Sequence, residues 1–247
     1  MIEFKNVTKV FGNVTAVDDV SFNVPAGRIA ALIGANGSGK TTTMRMISTV
    51  LIPDEGTIFV NGFNVHKNVE VARRQIGLML GGDAALLKRF TARENIEYYG
   101  VMQGMKRADI KARTDHLIKT LNMEAYADKR VEHFSRGMRQ KVLLAQTLIH
   151  NPPILLLDEP STGLDIYAAI EIQNVIKKSC EESKTVIISS HNMNEIEKLC
   201  DYAIIIDHGK LLYSGDIAEL KNRFSTDSIE KAFVCLTGDR NAALGNY

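Results

Sequence analysis

Residues 34–41 read Gly34-Ala35-Asn36-Gly37-Ser38-Gly39-Lys40-Thr41. This is the pattern G-x-x-x-x-G-K-[ST], a loop that cradles phosphate groups. Its flanks agree with that reading. The apolar stretch from Arg28 to Ile33 predicts a buried strand before the loop, and the spacing over Thr42 to Thr49 predicts a helix after it. Glycines let the backbone curl so that several N–H groups face one anion, and the helix N-terminus adds positive potential there. Lys40 supplies a mobile charge for the outer phosphates, and the Thr41 hydroxyl is placed to ligate Mg²⁺. The segment Asn36, Gly37, Ser38, Gly39, Lys40, Thr41 and Thr42 is therefore the expected nucleotide-phosphate site.

The rest of the chain sets bounds on what surrounds this loop. Its 247 residues suffice for one large domain. With 45% apolar and 24% charged residues the composition is that of an ordinary globular protein. A net charge of +1 gives no field that argues for nucleic acid or an anionic membrane. Apolar runs such as Ile154 to Leu157 and Ala203 to Ile206 are far too short to span a bilayer. Met1-Ile2-Glu3-Phe4-Lys5 is unlike a signal peptide. The chain is thus expected in the cytoplasm, with any membrane role coming through a partner. Cys180, Cys200 and Cys235 show no C-x-x-C pairing and are expected to be buried, reduced thiols, and the histidines show no metal-ligand spacing.

Periodicity divides the chain into a nucleotide-binding core and an insertion. Alternation around Ile2, Phe4 and Ser21 to Val24 predicts strands, and Thr57-Ile58-Phe59-Val60 running into Asn61-Gly62 predicts a hairpin. From about 83 to 150 the pattern is helical. Thr91-Ala92-Arg93-Glu94 is a capping box, Ile110, Thr114, Leu117, Ile118 and Leu121 form a stripe, and Met138, Val142, Ala145 and Ile149 form another, stopped by Asn151-Pro152-Pro153. Strands then return at 154–157, 185–190 and 203–207, with helices between them over 166–180 and 194–199, which implies a parallel sheet. The expected fold is α/β: a P-loop NTPase core with a mixed sheet, a β-rich N-terminal part and an inserted α-helical subdomain. The whole chain forms one domain, with its core at about 1–82 and 151–215, its helical part at about 83–150, and a short extension at about 216–247. Two short helices are predicted over 217–224 and 228–236, with a loose end of about ten residues after them.

The phosphate loop needs an acidic partner. Ile154-Leu155-Leu156-Leu157-Asp158-Glu159 provides a buried strand with two carboxylates at its C-terminal end, where open α/β sheets bind ligands. Asp158 is expected to hold the metal, and Glu159 to polarise the water that attacks the γ-phosphate.

At this point the chain resembles the ATP-binding subunits of ABC transporters over nearly its full length. Phe134-Ser135-Arg136-Gly137-Met138-Arg139-Gln140 is similar to that family's signature region. Asp158 to Asp165 is similar to its second acidic motif running into the D-loop, and Ser189-Ser190-His191 to its switch histidine. The resemblance implies ATP and Mg²⁺ as ligands and a head-to-tail dimer closing on ATP. Ser135 and Gly137 would meet the γ-phosphate bound by the other subunit, Asp165 would align the two sites, and His191 would hydrogen-bond the γ-phosphate and hold the attacking water. Phe11 would stack on adenine with Val17 nearby. It also implies a transmembrane permease as partner, met by a surface near Gly81 to Asn95, and a place on the cytoplasmic face of the membrane.

Two stretches depart from the family pattern. Where a glutamine usually reaches the metal, Ile76-Gly77-Leu78-Met79-Leu80-Gly81-Gly82 offers Gly81, with Gln75 in the wrong register. A water in the glutamine's place, and a Gly-Gly hinge to the helical part, are the expectation. In the signature, Arg136 stands where glycine is common and Met138 where glutamine is common; Arg136 is a candidate to face phosphate or the second subunit. With Thr91 to Asn95 and the tail Ser228 to Phe233, these variants are similar to ABC-2 exporter ATPases of the sodium-extrusion and drug-efflux kind. The competing class, a soluble ABC-type ATPase acting on nucleic acid or ribosomes, would call for a second cassette or a long coiled coil and a basic excess. A GTPase would need an N/T-K-x-D motif, which is not found.

Overall fold

The strands fall into two groups by how their apolar residues are spaced. The computed structural model describes residues 1–82 and 85–244. In β3 (Ile29–Ile33) and β8 (Thr185–Ser189) every residue is buried, and in β7 (Ile154–Asp158) all but the last. Such runs belong to strands covered on both faces, the usual condition of parallel sheets. With β6 (Ile76–Met79) and β9 (Tyr202–Asp207) they form a parallel sheet, to which β10 (Lys210–Asp216) adds an antiparallel edge; the order is β10-β9-β3-β8-β7-β6. In β1 (Ile2–Phe11) and β2 (Val14–Val24), by contrast, buried and exposed residues are interspersed. With β4 (Glu55–Val60) and β5 (Phe63–Asn64) they make a second, antiparallel sheet in the order β2-β1-β4-β5. The mixed α/β architecture expected from the sequence is the one observed.

Helices fill the space around the sheets. The phosphate loop runs into α1 (Lys40–Ile47), and α2 (Val69–Gln75) precedes β6. Then come α3 (Ala92–Met102), α4 (Arg107–Thr120) and α5 (Arg136–Leu148). At the start of α3, Thr91 accepts from the Glu94 N–H at 3.1 Å and Glu94 returns a bond to the Thr91 N–H at 2.7 Å, the capping box read from the sequence. Asn95, fully buried in α3, holds the preceding loop: its amide donates to Leu87 and Thr91 carbonyls, and its Oδ1 accepts the Leu87 N–H. Gln146 of α5 donates to the Asn95 carbonyl at 3.2 Å, so loop, α3 and α5 share one polar joint. Where α5 crosses β6 the backbones come close. A Cβ on Gly77 would lie 2.6 Å from the Thr147 carbonyl oxygen, and only glycine fits there.

After β7 come α6 (Ile166–Glu181), α7 (Met193–Leu199), α8 (Ile217–Arg223) and α9 (Ile229–Leu244). Two expectations are corrected here. The end expected to be loose is helical to Leu244, continuing α9, whose first half packs through Ile229, Ala232, Phe233 and Leu236 on a core built from Ile33, Ile205 and Leu220; residues 245–247 lie outside the described residues. The same packing turns Cys235 outward, so it is exposed rather than buried. Cys180 and Cys200 are partly covered and unpaired, and burial pushes both thiols up, Cys200 far above the usual range.

His150, at the end of α5, gives the fold a pH dependence. Its Nε2 meets the Ile76 carbonyl at 3.2 Å and therefore carries the proton, while Nδ1 is buried without a hydrogen-bond partner among the described residues. Burial lowers its pKa, against the pull of the Ile76 carbonyl, and burial also lowers that of His66. Above about pH 6.5 both states are neutral and nothing changes; below it the unfolded chain takes a proton that the folded one refuses, so stability falls. The expected loss is about 1.4 kcal/mol per unit of lowering. Urea midpoints at pH 7.5 and 5.5 should therefore differ less for His150→Gln than for the unaltered protein. Equal differences would refute the assignment.

Candidate nucleotide site

The C-terminal ends of β3, β7 and β8 meet at one edge of the parallel sheet, and the chemistry gathers there. Gly39, at φ 108°, turns the loop into α1. A Cβ at this position would lie 2.5 Å from the Ala16 carbonyl oxygen, so the turn needs glycine on both counts. Lys40 Nζ donates to the carbonyls of Gly34 at 2.8 Å and Ala35 at 2.9 Å, and the residue is only 8% exposed. Burial pushes its ammonium below the ordinary lysine value, against the attraction of Glu159 and Asp158. Having no side chain, Gly39 gives the first N–H groups of α1 no cap. Those N–H groups and the buried lysine form a donor set that fits the phosphates of a nucleotide.

Two oxygens stand ready for a cation beside it. Thr41 Oγ1 lies 3.3 Å from Asp158 Oδ2, and Ser189 Oγ donates to the other Asp158 oxygen. Hydroxyl and carboxylate oxygens suit a hard divalent ion such as Mg²⁺. The cross-strand register explains the contact, because Asp158 pairs directly with Ser189. Glu159 follows in the left-handed region at φ 51°. That conformation is uncommon for a non-glycine residue. It is secured by the Glu159 N–H, which donates to Ser189 O at 3.0 Å and to Ser189 Oγ at 3.1 Å. It aims the carboxylate at His191, whose Nε2 lies 2.7 Å from Glu159 Oε1.

Asn36, Gly37, Gly39, Lys40, Thr41, Thr42, Asp158, Glu159 and His191 thus line one cleft of about 200 Å³, together with Ala16. Ser38, within the loop, is itself buried. Phe11 stands at the tip of the β1–β2 hairpin, 46% exposed, with Lys9 Nζ over its ring at 5.4 Å. Val17 differs from expectation: it is fully buried and supports Gly39 from below, 3.4 Å from a Cβ built there, so it offers no surface to a ligand. Sequence reasoning missed Ala16, whose only mark is its place in the strand facing the loop. It also gave Ser189 no task, although the residue sits beside the switch histidine.

Ser135 and Gly137 are not in this cleft. Ser135 caps α5, accepting the Met138 N–H at 3.2 Å. A Cβ on Gly137 would come within 4.0 Å of Asp165, which itself caps α6 by accepting the Ala168 N–H at 2.9 Å. Arg136 is exposed and lies over Gly163, where a Cβ would be 2.7 Å from Nη1. Arg136, Arg139 and Gln140 line a second cavity of about 260 Å³ with Gly81, Gly82 and Glu159. Glu159 forms a wall of both spaces. Gly81 neighbours Asp158 at ordinary van der Waals distance: a Cβ there would lie 3.9 Å from Oδ2.

The family described as ABC transporter matches residues 17–162, a span that contains the phosphate loop, the α5 cap and both acids. The chain belongs to the ABC transporter family. It is similar to the ABC transporter ATP-binding protein NatA of Bacillus subtilis, 41% identical over 90% of either chain. It is 34% identical to the linearmycin resistance ATP-binding protein LnrL of the same organism, over 93% of this chain and 73% of that one. It is 33% identical to the daunorubicin/doxorubicin resistance ATP-binding protein DrrA of Streptomyces peucetius, over 92% and 68%. Among solved structures, the ATP-binding subunit of an ABC transporter superposes with a TM-score of 0.88 at 27% identity, covering 96% of this chain and 99% of that one. A dimeric ATP-binding cassette in a post-hydrolysis state with ADP and phosphate superposes at 0.79 and 27%, covering 88% and 99%. This ABC cassette binds ATP and is an ATPase, the subunit that powers an ABC transporter. No helix among the described residues is long and apolar enough to cross a membrane.

Proposed function

We propose that this cassette binds MgATP in the 200 Å³ cleft, closes head-to-tail on a second copy, and uses the hydrolysis to drive a separate permease in the export direction. The observation that carries this reading is the split of the site: Lys40, Thr41, Asp158, Glu159 and His191 share one cleft, whereas Ser135 lies outside it. Lys40 and the loop N–H groups bind the phosphates, and the exposed ring of Phe11 stacks on adenine. Thr41 and Asp158 would hold Mg²⁺, which would supply positive charge to neutralise the phosphate oxygens. Glu159 takes the proton of the attacking water, and His191 keeps that carboxylate aimed and meets the γ-phosphate. With Gly81 standing where a glutamine would reach the metal, a water would have to serve in its place. Ser135 and Gly137, at the N-terminal end of α5, face the γ-phosphate held by the other copy, with Arg136 beside them and Asp165 aligning the two sites.

The permease would meet the helical part. Leu87, Phe90 and Tyr98 are exposed there, with Phe90 edge-on to Tyr98 at 6.2 Å. The helix of Tyr98 also contributes Tyr99 and Met102 to a groove of about 430 Å³ that Val50, Glu70, Arg73 and Arg74 line as well. The three exposed apolar side chains, Leu87, Phe90 and Tyr98, are the part of this surface suited to a protein partner. Two of the relatives are named for resistance to linearmycin and to daunorubicin/doxorubicin, which supports outward transport; a cassette that draws on ATP and docks on a permease would sit on the cytoplasmic face of the membrane.

Light scattering on Glu159→Gln tests the composite site. The variant should run as a dimer with MgATP and as a monomer without it, and adding Ser135→Arg should abolish the dimer. A monomer that holds ATP in the Glu159→Gln background would overturn the proposal.

A further inference from the structure

Behind the Glu159–His191 pair lies a carboxylate with no part in the mechanism above. Glu195, the third residue of α7, is 4% exposed. A buried carboxylate is costly unless it is hydrogen-bonded, and this one accepts from two neutral donors. Oε2 receives the Ser190 hydroxyl at 2.6 Å, and Oε1 the Gln173 side-chain amide at 3.3 Å. Ser190 Oγ in turn accepts the Asn192 N–H at 3.1 Å, and Asn192 Oδ1 accepts the Glu195 N–H at 3.3 Å. Both neighbours of His191 are therefore tied to Glu195, while the imidazole itself reaches out to Glu159 at 2.7 Å. The arrangement is not a capping box, in which the Glu195 carboxylate would take the Asn192 N–H itself; here that N–H goes to Ser190. Gln173 adds a second connection, since it belongs to α6, the helix that Asp165 caps.

We infer that Glu195 is a positioning residue for hydrolysis. It fixes the peptide on either side of His191 so that the imidazole stays on Glu159, and it joins that segment to the helix begun by Asp165. It touches no reacting atom. What the geometry asks of it is an acceptor for two neutral donors rather than a charge. A glutamine can serve, because its oxygen accepts the Ser190 hydroxyl and its NH₂ meets Gln173 once that amide turns its oxygen inward. The inference rests on the roles given above to Glu159 and His191.

Steady-state ATP turnover and equilibrium MgATP binding on the full chain test it with Glu195→Ala, Glu195→Gln, His191→Ala and the His191→Ala/Glu195→Ala double variant. Glu195→Ala should lower kcat about 10- to 100-fold, the scale of a catalytic group displaced by an ångström, with MgATP affinity unchanged. Glu195→Gln should restore most of the rate. Once His191 is gone, adding Glu195→Ala should change kcat by less than about twofold, because coupled residues are not additive. An unchanged kcat in Glu195→Ala, an equal loss in both backgrounds, or a glutamine variant as slow as the alanine one would each overturn the inference. Should Glu195→Ala fail to fold, Ser190→Ala removes the same bond from its other end and carries the same expectation. Glu159→Gln assayed alongside separates the two readings. If it retains turnover, the hydrolytic roles themselves fail; if it is inactive while Glu195→Ala is fast, only the positioning role fails.

Discussion

Glu159→Gln should all but stop hydrolysis, with turnover falling about 10²- to 10⁴-fold, the range that a general base contributes. The substitution keeps the shape of the side chain and removes its capacity to take a proton. The backbone should not respond. Its left-handed turn at φ 51° is held by two bonds from the Glu159 N–H to Ser189, and neither involves the side chain. The carboxamide can still meet His191, so the cleft should keep its form and its affinity for MgATP. Phosphate release measured at saturating ATP decides the matter. Equal rates in variant and parent would remove Glu159 from the chemistry.

Lys40→Ala should act on binding instead. Hydrogen bonds to charged groups contribute about 1.5–3 kcal/mol each, so losing the ammonium should weaken MgATP about 10²-fold or more. Folding should suffer far less. Burial already lowers the Lys40 pKa, so the folded protein holds this charge at a cost. Its bonds to Gly34 and Ala35 offset part of that cost, and removal should change stability by about 1 kcal/mol or less. Calorimetric titration with MgATP and thermal melting of the free protein give the two numbers. A large loss of stability with little loss of affinity would make Lys40 a structural residue.

How far the sequence revealed this protein varied from segment to segment. The phosphate loop, the strand ending in Asp158-Glu159 and the capping box at Thr91 were legible because each is a local pattern with a local cause. The second sheet was less so. The hairpin at Asn61-Gly62 was visible, but the pairing of β1 with β4 joins residues as far apart as Ile2 and Val60, and no local signal records it. The edge strand β10 and the short helix α2 were also missed; only one residue of α2 is buried, which leaves little apolar periodicity to find. The tail is one helix, Ile229–Leu244, where the sequence predicts an end at 236, the last α9 residue, among the described residues, that packs on the core of Ile33, Ile205 and Leu220. In the site, sequence named most of the residues that line the cleft but gave no place to Glu195 and Gln173, whose contacts are made across α6 and α7.

The position of Ser135 away from the cleft that holds Lys40 has a kinetic meaning. If each ATP needs both, one chain carries two unmatched halves, and neither is a complete active site. The reaction order in protein is then two when copies are dilute, so activity per molecule rises with concentration. Two cassettes docked on one permease no longer meet by diffusion. Their effective concentration is set by the tether, commonly in the millimolar range for short spans. The membrane partner would then serve as more than the load on this motor, because holding the two copies together makes turnover independent of how many there are.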